Sequence, residues 1–158
     1  MSVIHLQYPA VNLKYKIEGN TRYVFDSIRK KYLVLTPEEW VRQHLIAYLL
    51  QELHYPINLL SIEKQILVGN IKKRYDLVVY DQDFQPCLLA ECKQPNIPIT
   101  EQTLYQLLQY HSTVAARFWV LTNGPDTFCA QVKNGKIIWR DQLPSKTELL
   151  SAEGLQSN

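Results

Sequence analysis

The sequence predicts a mixed α/β domain, and the order of its periodic segments carries this prediction. Patterns typical of a helix, three strands, a second helix and a further strand follow one another, with hairpins before and after them. This order differs from the regular alternation of strand and helix that builds an all-parallel sheet. The 158 residues, 46% hydrophobic and 20% charged, are typical of one globular domain. We therefore expect one domain over residues 1–158, with its core at about 25–125 and a flexible polar tail at 144–158.

The first third of the chain contains a hairpin and a strong helix start. Glu18-Gly19-Asn20 is typical of a turn between strands at 11–17 and 22–25. Thr36-Pro37-Glu38-Glu39 provides an N-cap, a first-turn proline and two acids, and predicts a helix to about Leu53. The apolar face of this helix includes Val41, Leu45, Tyr48 and Leu49.

Three strands and a second helix occupy the middle of the chain. The strands are expected at about 59–68, 74–80 and 87–93. Pro95 and Pro98 break the chain, and Thr100 is suited to cap a helix that runs to about Ala115. Its predicted buried stripe is Leu104, Leu107, Leu108, His111 and Ala115.

A buried strand and a hairpin complete the prediction. Residues 118–122 form a continuous apolar run, which indicates a strand buried on both faces. Asn134-Gly135 separates strand patterns at 128–132 and 137–139 and is the best hairpin signal in the sequence.

The pairing of the second and third central strands brings two acids together. If residues 82–85 form the loop, Tyr80 pairs with Cys87, and Asp76 falls opposite Glu91. Because side chains alternate between faces, Asp76 is expected to share a face with Val78 and Tyr80. By the same rule Leu89, Glu91 and Lys93 share a face, whereas Ala90 and Cys92 point to the core.

Two carboxylates that face each other across a strand pair repel, so a compensating cation is expected. Lys93 offers one positive charge, and a divalent ion such as Mg²⁺, which prefers oxygen ligands, offers more. A lysine beside a metal-bound water can orient that water, and the ion can neutralise charge on a phosphate. The alternative is an exposed charged strand face with a weak ion pair. The apolar neighbours, residues 77–79 and 88–90, favour a buried site instead.

These residues resemble the PD-(D/E)XK nuclease superfamily. The segments that carry the resemblance are Arg74-Tyr75-Asp76-Leu77-Val78-Val79-Tyr80-Asp81, Leu89-Ala90-Glu91-Cys92-Lys93, Thr36-Pro37-Glu38-Glu39-Trp40-Val41-Arg42-Gln43 and Gln106-Leu107-Leu108-Gln109-Tyr110. They look most similar to the N-terminal nuclease domain of type I restriction enzyme R subunits, in a short standalone form that ends where the motor domain of a full R subunit would begin. Tyr75 stands where the family name has proline.

The resemblance implies a restriction-endonuclease-like mixed sheet flanked by helices, and a Mg²⁺-dependent site in which Mn²⁺ substitutes. It implies that Asp76, Glu91 and the backbone carbonyl of Cys92 bind the metal. Lys93 would position the attacking water, and Glu39 would join through the water shell of the metal. Gln106 and Tyr110 would contact DNA or support the site.

Each supporting residue has a second interpretation that the sequence leaves open. Thr36 and Glu39 also match a capping box, in which case Glu38 or Glu52 is the spare candidate for the metal site. Gln106 and Tyr110 are four residues apart on one helical face and can simply contact each other.

Two main functions therefore remain, beside a third possibility, a structural or oligomerisation domain. The first is a metal-dependent endonuclease that hydrolyses DNA phosphodiester bonds. The second is a catalytically silent nucleic-acid-binding or interaction module with a nuclease fold. The expected partners are DNA and either a second copy of the chain, forming a homodimer, or separate motor and specificity subunits.

Composition excludes other classes. The sequence has no apolar run of membrane-spanning length and no signal-peptide pattern at its start. Its three cysteines, Cys87, Cys92 and Cys129, form no Cys-x-x-Cys motif, which favours a reduced, cytoplasmic protein over a disulfide-bonded or zinc-binding one. The net charge of +2 is too small to indicate nucleic-acid binding by itself.

Overall fold

The computed structural model describes residues 3–9, 13–110 and 114–151. Nine strands form two sheets over these ranges: β1 (Tyr15–Glu18), β2 (Thr21–Asp26), β3 (Lys31–Val34), β4 (Leu60–Val68), β5 (Ile71–Tyr80), β6 (Pro86–Cys92), β7 (Phe118–Thr122), β8 (Thr127–Lys133) and β9 (Lys136–Arg140). The helices are α1 (Pro37–Gln51), α2 (Glu101–Tyr110) and α3 (Lys146–Leu150), with a 3-10 turn at Ile57–Leu59.

The main sheet has six strands in the order β4-β5-β6-β7-β8-β9, and β1-β2-β3 form a separate antiparallel sheet. β6 and β7 are parallel, because α2 carries the chain between them, and the other neighbours in the main sheet are antiparallel. The predicted mixed α/β class and the predicted order of helix, three strands, helix and strand are confirmed.

The main sheet is buried on both faces. Leu77, Val79, Leu88, Ala90 and Cys92 pack in one layer with Val41, Leu45 and Leu49 of α1. Val78, Leu89 and Leu121 pack in a second layer with Leu104 and Leu108 of α2. Alternation of side chains along β5 and β6 distributes these residues between the two layers, and every residue of β7 is buried, as predicted.

Two helix caps and one hairpin turn form where local sequence patterns predict them. Thr36 Oγ1 accepts the backbone N–H of Glu39 at the start of α1. Thr100 Oγ1 accepts the N–H of Thr103 at the start of α2. Asn134 and Gly135 both have positive φ, 53° and 74°, as a two-residue type I′ hairpin turn requires.

One predicted element bound and one predicted strand pair are wrong, and one strand was not predicted. α2 ends at Tyr110, and Ala115 lies outside it, exposed to solvent. Tyr80 pairs with Pro86 instead of Cys87, because a register shift follows Val79. The third strand of the N-terminal sheet, β3, was not predicted, and residues 11–12 and His111 lie outside the described residues.

The predicted flexible tail is wrong for residues 145–151. Ser145 and Glu148 form a complete capping box at the start of α3. Leu149 is fully buried in the α1 layer of the core, which fixes this segment to the domain. The rest of the expected tail, 152–158, lies outside the described residues.

Within the described ranges, no helix is both long and apolar enough to cross a membrane.

Candidate functional site

The candidate site lies where β5 and β6 reach the end of their shared ladder. Val78 pairs with Leu89 and Leu77 with Ala90, so the same register continued by one residue places Asp76 opposite Glu91. The ladder itself ends at Leu77 and Ala90, so the predicted pairing of Asp76 with Glu91 stays an extension of its register. Both carboxylates therefore lie at one end of the main sheet, close to the first turn of α1.

Asp76 is held firmly on the side of the sheet that faces α1. Its Oδ2 accepts the backbone N–H of Cys92 at 2.8 Å, and its Oδ1 lies 3.4 Å from the guanidinium of Arg42. The Asp76 side chain is 16% exposed. These contacts fix the carboxylate in one orientation at the edge of the core.

Glu38 of α1 contacts Asp76. Burial is the largest cause that raises the pKa of Glu38, and the charge of Asp76 and a hydrogen bond to it raise this pKa further. Arg42 and Lys93 act in the opposite direction. Two neighbouring carboxyl groups of this kind bind a shared proton or a cation.

Glu91 and Lys93 form the other half of the site. Lys93 Nζ lies 3.9 Å from Glu91 Oε1, and the two side chains are 41% and 33% exposed. Burial raises the pKa of Glu91, the charge of Lys93 opposes this, and the charge of Asp76 adds to it. The site is thus open to solvent on the Glu91 and Lys93 side.

The predicted sharing of a face by Asp76 and Val78 is wrong. Val78 packs in the α2 layer, whereas Asp76 contacts Arg42 of α1. The neighbouring strand β4 is irregular at the same point. Ile62 pairs with Leu77 and Lys64 with Tyr75, but Glu63 between them has a φ of +52° and interrupts the ladder beside Asp76.

Glu39 lies beneath the site, in a buried polar network. Its Oε2 accepts a hydrogen bond from Gln43 Nε2 at 2.9 Å, and its Oε1 is 3.7 Å from both Arg29 and Arg42. Of the predicted capping box only the bond from the Glu39 N–H to Thr36 is seen among the described contacts. The Glu39 carboxylate instead neutralises buried arginines.

The rest of this network involves residues that the sequence does not single out. Arg42 donates to Glu63 Oε1 at 2.8 Å, and this hydrogen bond is the largest cause that lowers the pKa of Glu63. Arg29 bonds the fully buried Asp26 and reaches Glu63. An arginine on the polar side of α1 was the available signal, but nothing in the sequence connects it to Glu63.

The other predicted residues lie on α2. Gln106 and Tyr110 are both exposed. Lys73 Nζ donates to the Tyr110 hydroxyl at 3.1 Å and lies 4.2 Å from the centre of its ring. Tyr110 therefore contacts β5 on the α2 side of the sheet.

The donor set of the site fits a hard divalent cation. Glu38, Asp76 and Glu91 offer only oxygen atoms, and Mg²⁺ retains several waters and needs one or two carboxylates. Among the residues that the structure describes, no three His, Cys, Asp or Glu side chains already surround one point suitable for a metal. A cation at Asp76 would therefore share this carboxylate with Arg42 or replace Arg42 as its partner.

Comparison with known proteins gives a family and a fold. A sequence profile of the family described as type I restriction enzyme R protein N terminus matches residues 37–144. A solved fragment assigned to an HsdR subunit of a type I restriction enzyme from Vibrio vulnificus YJ016 is similar in structure, with a TM-score of 0.52 and 21% sequence identity. The match covers 73% of this chain and 24% of that chain, so this chain spans about a quarter of the other. No curated protein matches.

Proposed function

The chain belongs to the family of type I restriction enzyme R protein N-terminal domains, and on this premise we propose that it is a Mg²⁺-dependent endonuclease of the PD-(D/E)XK type that hydrolyses DNA phosphodiester bonds. The observation that carries the proposal is the convergence of Glu38, Asp76, Glu91 and Lys93 at one end of the main sheet. Three acids and one lysine at the surface end of two buried strands are what metal-assisted hydrolysis needs.

Asp76 and Glu91 are the proposed metal ligands, with the backbone carbonyl of Cys92 as a further ligand. The bond from the Cys92 N–H to Asp76 Oδ2 orients the aspartate, as the contacts behind metal ligands typically do. A bound Mg²⁺ supplies Lewis-acid chemistry: it neutralises charge on the scissile phosphate and makes water more acidic.

We assign the supporting acid on α1 to Glu38 and leave Glu39 with a structural role. Glu38 contacts Asp76 and lies in the field of Lys93, whereas Glu39 is engaged by Gln43 and two arginines. Glu38 is one of the two spare candidates, with Glu52, that the sequence offered in case Glu39 serves α1 itself.

Lys93 is the proposed group that acts on the attacking water. Its ammonium is not expected to bind a divalent cation, since the two charges repel. Its pairing with Glu91 at 3.9 Å leaves N–H donors for a water and a phosphate oxygen. A positioned proton-transfer group typically contributes about 10²–10⁴-fold to the rate.

The partners follow from the same family. We propose DNA as the substrate, and a second copy of the chain, or motor and specificity subunits, as further partners. We place the protein in the cytoplasm, where its three buried thiols remain reduced.

The contact between Arg42 and Asp76 favours a second candidate, a silent binding module with the same fold. In that case Arg42 permanently supplies the positive charge that a metal would supply, at 3.4 Å from Asp76. Such a domain would bind nucleic acid and leave it uncut.

Cleavage of supercoiled plasmid with Mg²⁺ or Mn²⁺ separates the two candidates. Wild type should nick or linearise the plasmid, and Lys93→Met should lower the rate about 10²–10⁴-fold with DNA affinity intact. Lys133→Met, which changes an exposed lysine on the opposite side of the sheet, is the matched control and should cut normally. Equal cleavage by Lys93→Met would refute the role of this lysine. Binding without cleavage by wild type would establish the silent module.

Metal binding provides a second readout that does not depend on turnover. In calorimetric titration with Mn²⁺, Asp76→Asn and Glu91→Gln should each weaken binding, whereas Lys93→Met should not. Unchanged binding in both acid variants would contradict the assigned ligands.

A further inference from the structure

We propose that the hairpin of β4 and β5 is an arm that grips duplex DNA beside the candidate site. This proposal rests on the proposed function, because it takes DNA as the substrate. The arm is formed by residues 64–74, which we call the basic ribbon. It contains four of the 17 Lys and Arg residues of the chain and no acid. The rest of the chain carries 13 basic against 15 acidic residues, so the net positive charge is concentrated here.

The basic ribbon projects past the body of the main sheet. β6 ends at Cys92, which the register of the β5–β6 ladder places beside Tyr75. Four further pairs, from Gln65↔Arg74 to Val68↔Ile71, continue beyond that point. At about 3.4 Å per residue the ribbon extends roughly 14 Å past its neighbour. A two-stranded ribbon of this kind fits the major groove of B-form DNA.

The two faces of the basic ribbon are different. On one face Ile66 packs against the α2 core layer, and Lys73 contacts Tyr110 through its hydroxyl and its ring. On the other face Gln65, Leu67, Lys72 and Arg74 are all exposed. The first face thus braces the ribbon against the domain, and the second presents two positive charges to solvent.

The open face leads directly to the candidate site. Lys72, Arg74 and Asp76 follow one another at two-residue spacing along β5, so Arg74 precedes Asp76 by about 7 Å along the strand. The charge of Arg74 also contributes to lowering the pKa of Glu63, which lies opposite Asp76. A DNA backbone that follows Lys72 and Arg74 is therefore delivered to the acids.

The residues at the tip complete the chemistry of a groove contact. Leu67 and Ile71 are 65% and 59% exposed, and Gln65 offers an amide donor and acceptor on the open face. Apolar and amide side chains contact thymine methyl groups and base edges, whereas Lys72 and Arg74 suit phosphates. Tyr110 then serves DNA binding indirectly, by holding Lys73 and with it the ribbon.

The test is the salt dependence of duplex binding, measured by fluorescence anisotropy with a 30-base-pair duplex in EDTA, so that no cleavage occurs. Each phosphate contact contributes about 0.9 to the slope of log K against log salt. Lys72→Gln/Arg74→Gln should make the slope shallower by about 2, and each single variant by about 1. Lys133→Gln/Lys136→Gln, which removes two exposed lysines from the β8–β9 hairpin on the opposite side of the sheet, should keep the wild-type slope.

Three results would overturn the ribbon proposal: no duplex binding by wild type, a wild-type slope in the ribbon variants, or an equal loss in the control. A fourth is binding to anionic phosphatidylserine vesicles in place of DNA, since a basic hairpin with an apolar tip also suits such a surface. Failure of the ribbon proposal can be distinguished from failure of the nuclease assignment. Cleavage by wild type with an unchanged slope in the ribbon variants refutes the arm alone, and a ribbon-dependent slope without cleavage refutes the nuclease alone.

Discussion

The neighbouring acids Glu38 and Glu39 should separate activity from stability. One contacts Asp76 at the candidate site, and the other neutralises buried arginines beneath it. We expect Glu38→Gln to lose cleavage and keep its melting temperature, and Glu39→Ala to lose stability and keep its activity per folded molecule.

The magnitude for Glu39→Ala follows from its contacts. The substitution removes a carboxylate that is 9% exposed, an acceptor for Gln43 at 2.9 Å and a counter-charge 3.7 Å from each of two arginines. Leaving a buried charge uncompensated costs about 3–5 kcal/mol. Here Arg29 keeps Asp26, and Arg42 keeps Glu63, so we expect about 2 kcal/mol. At about 2–4 °C per kcal/mol, the melting temperature should fall roughly 4–8 °C.

Glu38→Gln should behave differently because its carboxyl is 43% exposed and faces another carboxylate. Removing its charge relieves the repulsion with Asp76, so the free energy of unfolding should stay within about 1 kcal/mol of the wild-type value. Both variants keep the cap of α1, since Thr36 accepts a backbone N–H that neither substitution changes.

Thermal melting by circular dichroism and plasmid cleavage, normalised to folded protein, measure the two effects. Glu39→Gln is the matched control for the shape of the side chain. It retains an acceptor for Gln43 and should lose less stability than Glu39→Ala. These roles are refuted if Glu39→Ala has the melting temperature of wild type, or if Glu38→Gln cleaves as well as wild type.

Three further predictions concern stability. Leu149→Ala should lower the free energy of unfolding in urea by about 2–5 kcal/mol, because Leu149 is fully buried; a loss under 1 kcal/mol would show that α3 is dispensable. Burial raises the pKa of Glu148, but the Ser145 N–H and Arg140 outweigh it, and the net shift is downward. Because the folded-state pKa of Glu148 lies below the usual 4.5, its stabilisation is fully present above pH 4.5 and is lost as the pH falls through the folded-state pKa. The deficit of Glu148→Gln at pH 7, about 0.2–1 kcal/mol for this exposed pair, should therefore shrink as the pH falls below 4.5; a deficit that does not shrink on acidification would contradict the ion-pair explanation. Glu63→Gly should be more stable than Glu63→Ala by about 0.5–1 kcal/mol, because φ is +52° there and only glycine adopts that conformation without cost; the reverse order in urea melts would exclude a left-handed Glu63.

The sequence predicts the elements whose signals are local. Thr36 and Pro37 determine where α1 starts, and Asn134-Gly135 determines the C-terminal turn. The register that leads to Asp76 opposite Glu91 is also predictable, since it requires only the position of the turn. The register shift does not disturb it, because the shift lies between Val79 and the turn, and the pairs from Leu77 to Val79 keep the predicted register. The face that Asp76 takes is not predictable, because Asp76 departs from the alternation that places Val78 in the α2 layer.

Some of the features that were not predicted have a recognisable sequence pattern, and others have none. Ser145-x-x-Glu148 is a capping box in the sequence, so α3 was predictable despite its polar surroundings. The choice between Glu38 and Glu39 was not, because adjacent helical residues point about 100° apart and only the docking of α1 on the sheet decides which one reaches Asp76. The left-handed Glu63 has no signal either, since glutamate has no local preference for positive φ.

The two candidate functions differ in the positive charge that neutralises Asp76, which is Arg42 in the silent module and a bound cation in the nuclease. The guanidinium of Arg42 is 2.8 Å from Glu63 and 3.4 Å from Asp76, so Glu63 is its closer partner. The hydrogen bond from Arg42 lowers the pKa of Glu63, which keeps this carboxylate ionised at neutral pH. Arg42 therefore retains a counter-charge if a cation takes Asp76, and the exchange leaves no buried charge unpaired. The arginine that favours a silent module is, for this reason, compatible with a metal site.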